Sequence, residues 1–210
     1  MYLSRVALDM TRRSTMSALS NPQQFHGAVE SAFPGERRRR LWRLDRLDGK
    51  LYLLILSEDR PNLSGVAAQF GSVEAPATKA YDPLLERIGP ESVWQFRLTA
   101  NPTKSNHSHT EPTGKRIVQA HVTVEYQKQW LLDRAEKHGF HLEPDGFTVT
   151  RSQWFSFCKR ESKRPVSLLS VTYEGSLTVT DPALFRQLLT EGIGRGKAYG
   201  LGLMTVMRRR

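Results

Sequence analysis

The sequence has one cysteine, Cys158. That excludes an internal disulfide and a multi-cysteine zinc site, and it fits a reducing compartment. No apolar run approaches the ~20 residues that a bilayer crossing needs, and the opening MYLSRVALDMTRR lacks the charged, apolar and small-residue order of a signal peptide. A cytoplasmic protein with no membrane partner is expected. Acid is also scarce: 21 Asp and Glu stand against 31 Lys and Arg, for a net charge of +10. Such an excess is the electrostatic footprint of a nucleic-acid or anionic-surface binder. No cluster of Asp and Glu resembles the carboxylate set of a two-metal nuclease. His107 and His109 have H-x-H spacing, but they lie in a polar loop with no nearby Cys and only Glu111 as a carboxylate. They read as solvated loop, and neither a metal nor an organic cofactor is expected.

The chain has 210 residues, 39% of them hydrophobic, enough for one large or two small domains with real cores. Two similar halves follow one another. In the first, the apolar stretch YLSRVAL leads to a helix signalled by Ser20, Asn21 and Pro22, on which Phe25, Ala28, Val29, Ala32 and Phe33 form one face. Two strands, RRLWRLDRL and KLYLLILS, meet at Asp48-Gly49, a strong hairpin signal. A short helix near 62–70 and a weaker stretch to about Ile88, expected to hold a strand, complete this half.

The second half repeats the order. VWQFRLTAN is a strand, and a long loop rich in Pro, Ser, His and Lys leads to KRIVQAHV. EYQKQWLLDRAEKHGF is a helix closed by Gly139. Two strands, FTVTRSQWFSF and VSLLSVTYEGSLTV, flank the basic turn KRESKRP. A helix opened by Asp181-Pro182 and a terminal strand end the chain. The expected fold is α+β, two tandem ferredoxin-like (RRM-like) βαββαβ domains over 1–90 and 91–210, with the boundary near Gly89-Pro90. Trp94, Trp130 and Trp154 fall on element patterns that predict core, and His121, His138 and His141 read as structural or surface residues.

Charge is uneven between the halves, +3 over 1–90 and +7 over 91–210. Lys159, Arg160, Lys163 and Arg164 crowd the second half's hairpin turn, a shape that enters a groove or straddles a backbone. Arg37 to Arg40, with Arg38 among them, form the first half's dense run. The central strands lack the basic residue, glycine and interleaved aromatics with which such sheets stack single-stranded bases. A structured RNA, read by shape and backbone, fits better.

Between the last helix and the last strand lies EGIGRGKAYGLGLMTV, in which Gly192, Gly194, Gly196, Gly200 and Gly202 surround Arg195 and Lys197. Nucleotide-cofactor loops run strand, glycine turn, helix. This one runs helix, loop, strand, so it suits a polymer's phosphates rather than a cofactor. A plain helix cap and turn needs only one or two glycines.

Five stretches together, MYLSRV, NPQQFHGAVESAFPG, FRLTANPTK, YEGSLTVTDP and GIGRGKAYGLGLM, resemble the CasE-type CRISPR repeat endoribonucleases of the type I-E surveillance complex, in that family's order and over nearly the whole chain. The resemblance implies a protein that binds the stem-loop of a CRISPR repeat, cuts one strand at the 3′ base of the stem without metal, and joins the other subunits of that complex. It also implies that the glycine loop supports the RNA-binding surface and that a helix histidine does the chemistry. That residue is His26.

His26 follows Phe25, about 100° round the helix from the buried stripe, where a ligand can reach it. Metal-free cleavage needs the 2′-OH activated, charge on the phosphorane stabilised and the departing 5′-oxygen protonated, and it yields a 2′,3′-cyclic phosphate. Imidazole titrates near neutrality and serves either proton transfer. Some family members carry a Tyr one turn before the His and basic residues after it, where this chain has Gln23, Gly27 and Ser31. The second proton-transfer group and the charge stabiliser are therefore unassigned, with Arg37 to Arg40, or Arg12 and Arg13 in the loop before the helix, as candidates. The alternative is a non-catalytic subunit that binds the RNA hairpin inside a ribonucleoprotein.

Overall fold

The computed structural model describes residues 1–35, 38, 40–110, 116–158 and 165–208. In the first half, β1 (Tyr2–Ala7), β2 (Leu41–Leu47), β3 (Lys50–Ser57) and β4 (Ala77–Ala80) form an antiparallel sheet in the order β2-β3-β1-β4. Asp48 and Gly49 take φ of 50° and 79° between the paired Leu47 and Lys50, the doubly positive turn that matches the twist of a two-residue hairpin.

Strand β3 is an almost unbroken apolar run because both of its faces are covered. Leu53 and Ile55 pack with Val6 against Phe25, Val29, Val66 and Phe70, contributed by α2 (Gln23–Ser31) and α3 (Ser64–Phe70). Tyr52, Leu54 and Leu56 face the other way, into a core shared with Trp94, Leu98, Leu177 and Leu203 of the second half. The first sheet thus has helices on one face and the second half of the chain on the other.

Two elements here differ from the sequence expectation. Residues Arg13–Ser20 form a helix, α1, so Arg13 opens a helix instead of sitting in a loop. Its buried residues are only Thr15 and Ala18, which gives no apolar stripe to read. It is held by tertiary hydrogen bonds instead, Ser14 Oγ to the Gln69 carbonyl at 2.6 Å and Thr15 Oγ1 to the Phe70 carbonyl at 3.3 Å, which also satisfy the end of α3. The stretch up to Ile88 holds the expected strand as the four-residue β4, and a short helix that the sequence did not announce, α4 (Asp82–Glu86), follows it.

In the second half, β5 (Val93–Ala100), α5 (Val124–Ala135), β8 (Phe140–His141), β9 (Phe147–Cys158), β10 (Pro165–Val179), α6 (Pro182–Glu191) and β11 (Met204–Arg208) follow in order. The sheet runs β11-β5-β10, with β8 and β9 both paired to the far edge of β10. Residues 103–110, expected as loop, form a strand, β6, paired with β7 (Arg116–Ala120) as a separate ribbon. The polar sequence TKSNHSHT has no apolar alternation to announce it. Asp181 caps α6 as its sequence position predicts, accepting hydrogen bonds from the Ala183 and Leu184 amides at 2.9 and 3.1 Å. Gly139 closes the α5 region at φ 73°.

Trp94 and Trp130 are buried, but Trp154 is 51% exposed, contrary to expectation. Pairing of β10 with β5 stops at Val171, whereas β9 continues beside β10 as far as Pro165. Trp154 lies on that overhanging ribbon, where among the described residues no third strand is paired to make a continuous core.

Candidate active site and nucleic-acid interface

Helix α2 is the platform for His26. Asn21 Oδ1 accepts from the Gln23 amide at 3.2 Å, and the His26 amide donates to the Pro22 carbonyl at 3.1 Å, so the first turn is satisfied locally. Phe25, fully buried, anchors the helix between Trp42 and Phe70, with ring centroids 5.8 and 4.9 Å away. His26 is half-buried beside it. Among the described residues its side chain makes no hydrogen bond or ion pair. One turn further on, Glu30 holds Arg40 at 2.8 Å, and the Arg40 guanidinium sits 4.2 Å over the Phe33 ring.

The glycine loop lies against this helix. Its central turn is a short 3-10 helix, Lys197–Tyr199, which packs on both α2 and β2. Two of its glycines explain the fit between the halves. Gly192 touches Leu41, where an added Cβ would fall 2.9 Å from Cδ1, and Gly200 touches Trp42, at 2.6 Å. Both have φ near +75°, 70° and 79°, which only glycine adopts without strain. Gly202 leaves no room either, since a Cβ there would stand 2.5 Å from the Ile193 carbonyl. The glycine count is thus set in large part by close packing within and between the halves.

Behind the loop, Arg43 joins the two sheets. It is 1% exposed. It grips Asp45 through Nε at 3.0 Å and Nη2 at 2.5 Å, and it donates to the carbonyls of Arg97 and Leu203 and to Thr205 Oγ1, each at 2.7 Å. Asp45 is also reached by Arg97 at 3.6 Å, and Arg97 pairs with Glu174 at 2.9 Å. Leu203 ends the glycine loop, so this buried network ties the loop to β2. Arg43 is not among the site residues expected from the sequence. The signal was Arg-x-Asp inside a strand, which puts both charges on one face.

A third element reaches the same region. Phe157, near the outer end of β9, packs on Tyr199 with centroids 4.9 Å apart. The overhanging β9–β10 ribbon therefore leans on the glycine loop. Its turn residues Lys159, Arg160, Lys163 and Arg164 lie outside the described residues, as do Arg37 and Arg39.

The structure gathers α2 with His26, the loop with Gly192 to Gly202, Arg195 and Lys197, and the outer end of β9. Other candidates stand apart. Arg38 pairs with Glu58 and Asp59 at 3.1 and 3.8 Å. Arg12 donates to the Ala68 carbonyl and pairs with Asp9 at 3.5 Å, on the α3 side. Both are engaged by first-half partners. Among the described residues no group of three His, Cys, Asp or Glu could hold a metal ion, and no helix is long and apolar enough to cross a membrane. A groove of about 920 Å³ between the two sheets, lined in part by Arg5, Thr78, Phe96 and Glu174, contains none of the residues gathered at the loop.

Residues 1–208 match the family model described as CRISPR associated protein. The chain is 31% identical to the CRISPR-associated endoribonuclease Cse3 of Thermus thermophilus, over 98% of this chain and 99% of that one. It is 27% identical to the CRISPR system Cascade subunit CasE of Escherichia coli, over 79% of this chain and 87% of that one. A solved structure of Thermus thermophilus Cse3 bound to an RNA representing a pre-cleavage complex superposes with a TM-score of 0.79 at 28% identity, covering 98% of each chain.

Proposed function

This chain belongs to the CRISPR-associated protein family, and from that premise we propose that it is an endoribonuclease that binds the stem-loop of a CRISPR repeat and cuts the precursor RNA at the 3′ base of the stem. His26 does proton-transfer chemistry and no metal takes part. The 2′-oxygen forms a bond to the adjacent phosphorus while the bond to the 5′-oxygen breaks. One proton leaves the 2′-OH and one joins the departing oxygen, leaving a 2′,3′-cyclic phosphate and a 5′-OH. Either transfer suits an imidazole reachable from solvent on a rigid helix.

The observation that carries this reading is the packing of α2 on the Lys197–Tyr199 turn. It puts the histidine helix and the basic glycine loop side by side although they come from opposite ends of the chain. A bound hairpin is then held by Arg195, Lys197 and the loop backbone, by the basic turn of Lys159, Arg160, Lys163 and Arg164, and more peripherally by Arg12, Arg13 and Arg38. After cleavage the protein stays with its RNA among the other subunits of a type I-E complex in the cytoplasm. Cse3 carries the name endoribonuclease and CasE the name Cascade subunit, which supports both parts.

The strand orders β2-β3-β1-β4 and β11-β5-β10-β9 support two tandem ferredoxin-like units, divided near residue 90. A second reading, a hairpin-binding subunit without activity, is favoured by one observation: Gln23, Gly27 and Ser31 surround His26 and no described cation pairs with it. Incubation with the repeat RNA of the host's own CRISPR array in EDTA separates the two. Cleavage at one site with a cyclic phosphate end supports the nuclease, and tight binding without cleavage under any condition supports the second reading.

A further inference from the structure

The glycine loop has a second wall, formed by α5. Gly194 lies against Trp130, where an added Cβ would fall 3.1 Å from Cζ2. Trp130, Arg134 and His138 follow at intervals of four along α5 and the 3-10 turn Glu136–His138 that extends it, so they share one face. Arg134 sits over the Trp130 ring at 4.4 Å and donates from Nη1 to the Trp130 carbonyl at 3.0 Å. Among the described residues its Nε and Nη2 make no hydrogen bond, and no carboxylate lies within ion-pair distance of Arg134 or His138. The neighbouring Asp133 accepts from Gln129 at 2.7 Å, and Glu136 is exposed.

Burial pulls the pKa of Arg134 down and, more than any other cause, that of His138. The charges of Arg134 and then Lys197 depress His138 further, which places the loop lysine within electrostatic reach of this helix face. Like charges gathered on partly desolvated ground raise the free energy of the protein, and an anion relieves them. With Nη1 engaged by the Trp130 carbonyl, the Nε–Nη2 edge of the guanidinium is the planar fork that can take two oxygens of one phosphate.

We propose that Arg134, His138 and Lys197 form a second phosphate site, apart from His26, that holds a backbone phosphodiester of the bound RNA. The site rests on the RNA-binding function proposed above. It assigns a role to α5, which the loop otherwise uses only as packing. It also gives the exposed Gly194 a purpose: the loop backbone comes down on Trp130, which brings Lys197 within electrostatic reach of His138.

The test uses a fluorescein-labelled RNA hairpin carrying the repeat of the host's own CRISPR array, titrated by anisotropy over a salt series. The reference protein is His26→Ala, with the RNA checked intact by gel. Arg134→Gln and His138→Gln are added singly and together, along with Arg134→Lys. Each lost phosphate contact removes about one unit from the slope of log affinity against log salt. Arg134→Gln is expected to lose about that much and to bind roughly tenfold more weakly at low salt, while Arg134→Lys keeps the slope. Folded variants with the reference slope overturn the site even if their affinity falls, because lost packing on Trp130 weakens binding without changing counterion release. If the reference protein itself fails to bind the hairpin, the RNA-binding function falls and the site with it. A reference that binds with a steep slope beside variants of equal slope sinks this inference alone.

Discussion

Gly200 rests on the Trp42 indole so closely that a Cβ at position 200 would stand 2.6 Å from Cζ3. Trp42 meets Phe25, and Phe25 immediately precedes His26 on α2. A glycine near the end of the chain thus helps to fix where the helix of the first half stands. The loop is a joint between the halves as well as a surface, and its sequence is constrained from both sides.

Replacing Gly200 with Ala should destabilise the protein by about 1–3 kcal/mol, through overpacking against Trp42 together with strain at a φ of +79°. Urea unfolding measures it. Trp42→Phe removes the ring atoms that collide, so the double variant should unfold closer to Trp42→Phe alone than additivity allows. Strict additivity of the two changes would show that the contact is not the cause.

Arg43→Met should cost about 3 kcal/mol or more, because it strands the buried Asp45 carboxylate and removes the Arg43 hydrogen bonds to the Arg97 and Leu203 carbonyls. Arg97, 3.6 Å from Asp45, limits the loss. Adding Asp45→Asn to Arg43→Met should restore part of the stability, since the stranded charge is then gone. A double variant no more stable than Arg43→Met, by chemical denaturation, would place the cost elsewhere.

Much of this arrangement could be read in the sequence, and the exceptions have physical causes. Asp48-Gly49 and the Asp181 cap are local chemistry, and they stand where their residues predict. The buried Phe25 and the half-buried His26 follow from helical spacing alone. Helix α1 and strand β6 were not legible, because α1 is held by hydroxyls bonded to α3 and β6 by its ribbon partner rather than by an apolar stripe. Trp154 has the pattern of a core residue, but no sequence pattern tells where a neighbouring strand stops. The glycine loop read as a phosphate cradle, whereas Gly192 and Gly200 answer to Leu41 and Trp42, side chains some 150 residues earlier. Long-range contacts of that kind leave no local signal. For the same reason the Trp130, Arg134 and His138 face showed only as ordinary helix.

Acid should destabilise the fold partly through two histidines. The pKa values of His121 and His138 are both lowered, chiefly by burial and then by neighbouring cations, Lys104 and Arg134 for His121, Arg134 and Lys197 for His138. The unfolded chain therefore binds protons at higher pH than the folded one. Stability is fully present above the ordinary imidazole value of ~6.5 and declines as pH falls through it toward the lower folded values. Melting temperatures measured from pH 8 to 5 should fall on the acid side, and the double variant His121→Gln, His138→Gln should show a shallower decline. An equally steep decline would assign the acid sensitivity to other groups.

The separation of binding from chemistry at His26 is the sharpest test of the proposed function. A general acid or base contributes typically ~10²- to 10⁴-fold to rate, whereas the proposed hold on the RNA is shared among the loop, Lys159, Arg160, Lys163, Arg164 and α5. His26→Ala should bind the repeat hairpin nearly as tightly as wild type and cleave it slower by a factor in that range, in single-turnover assays in EDTA. The side chain makes no hydrogen bond among the described residues, and the anchor of its helix is Phe25, so the substitution should leave stability nearly unchanged. Wild-type protein given a repeat with a 2′-deoxy sugar at the scissile nucleotide should likewise bind without cutting, because the nucleophile is missing. Cleavage by His26→Ala at the wild-type rate would remove the histidine from the mechanism. Cleavage of the 2′-deoxy RNA would remove the 2′-oxygen instead, and with it the cyclic phosphate.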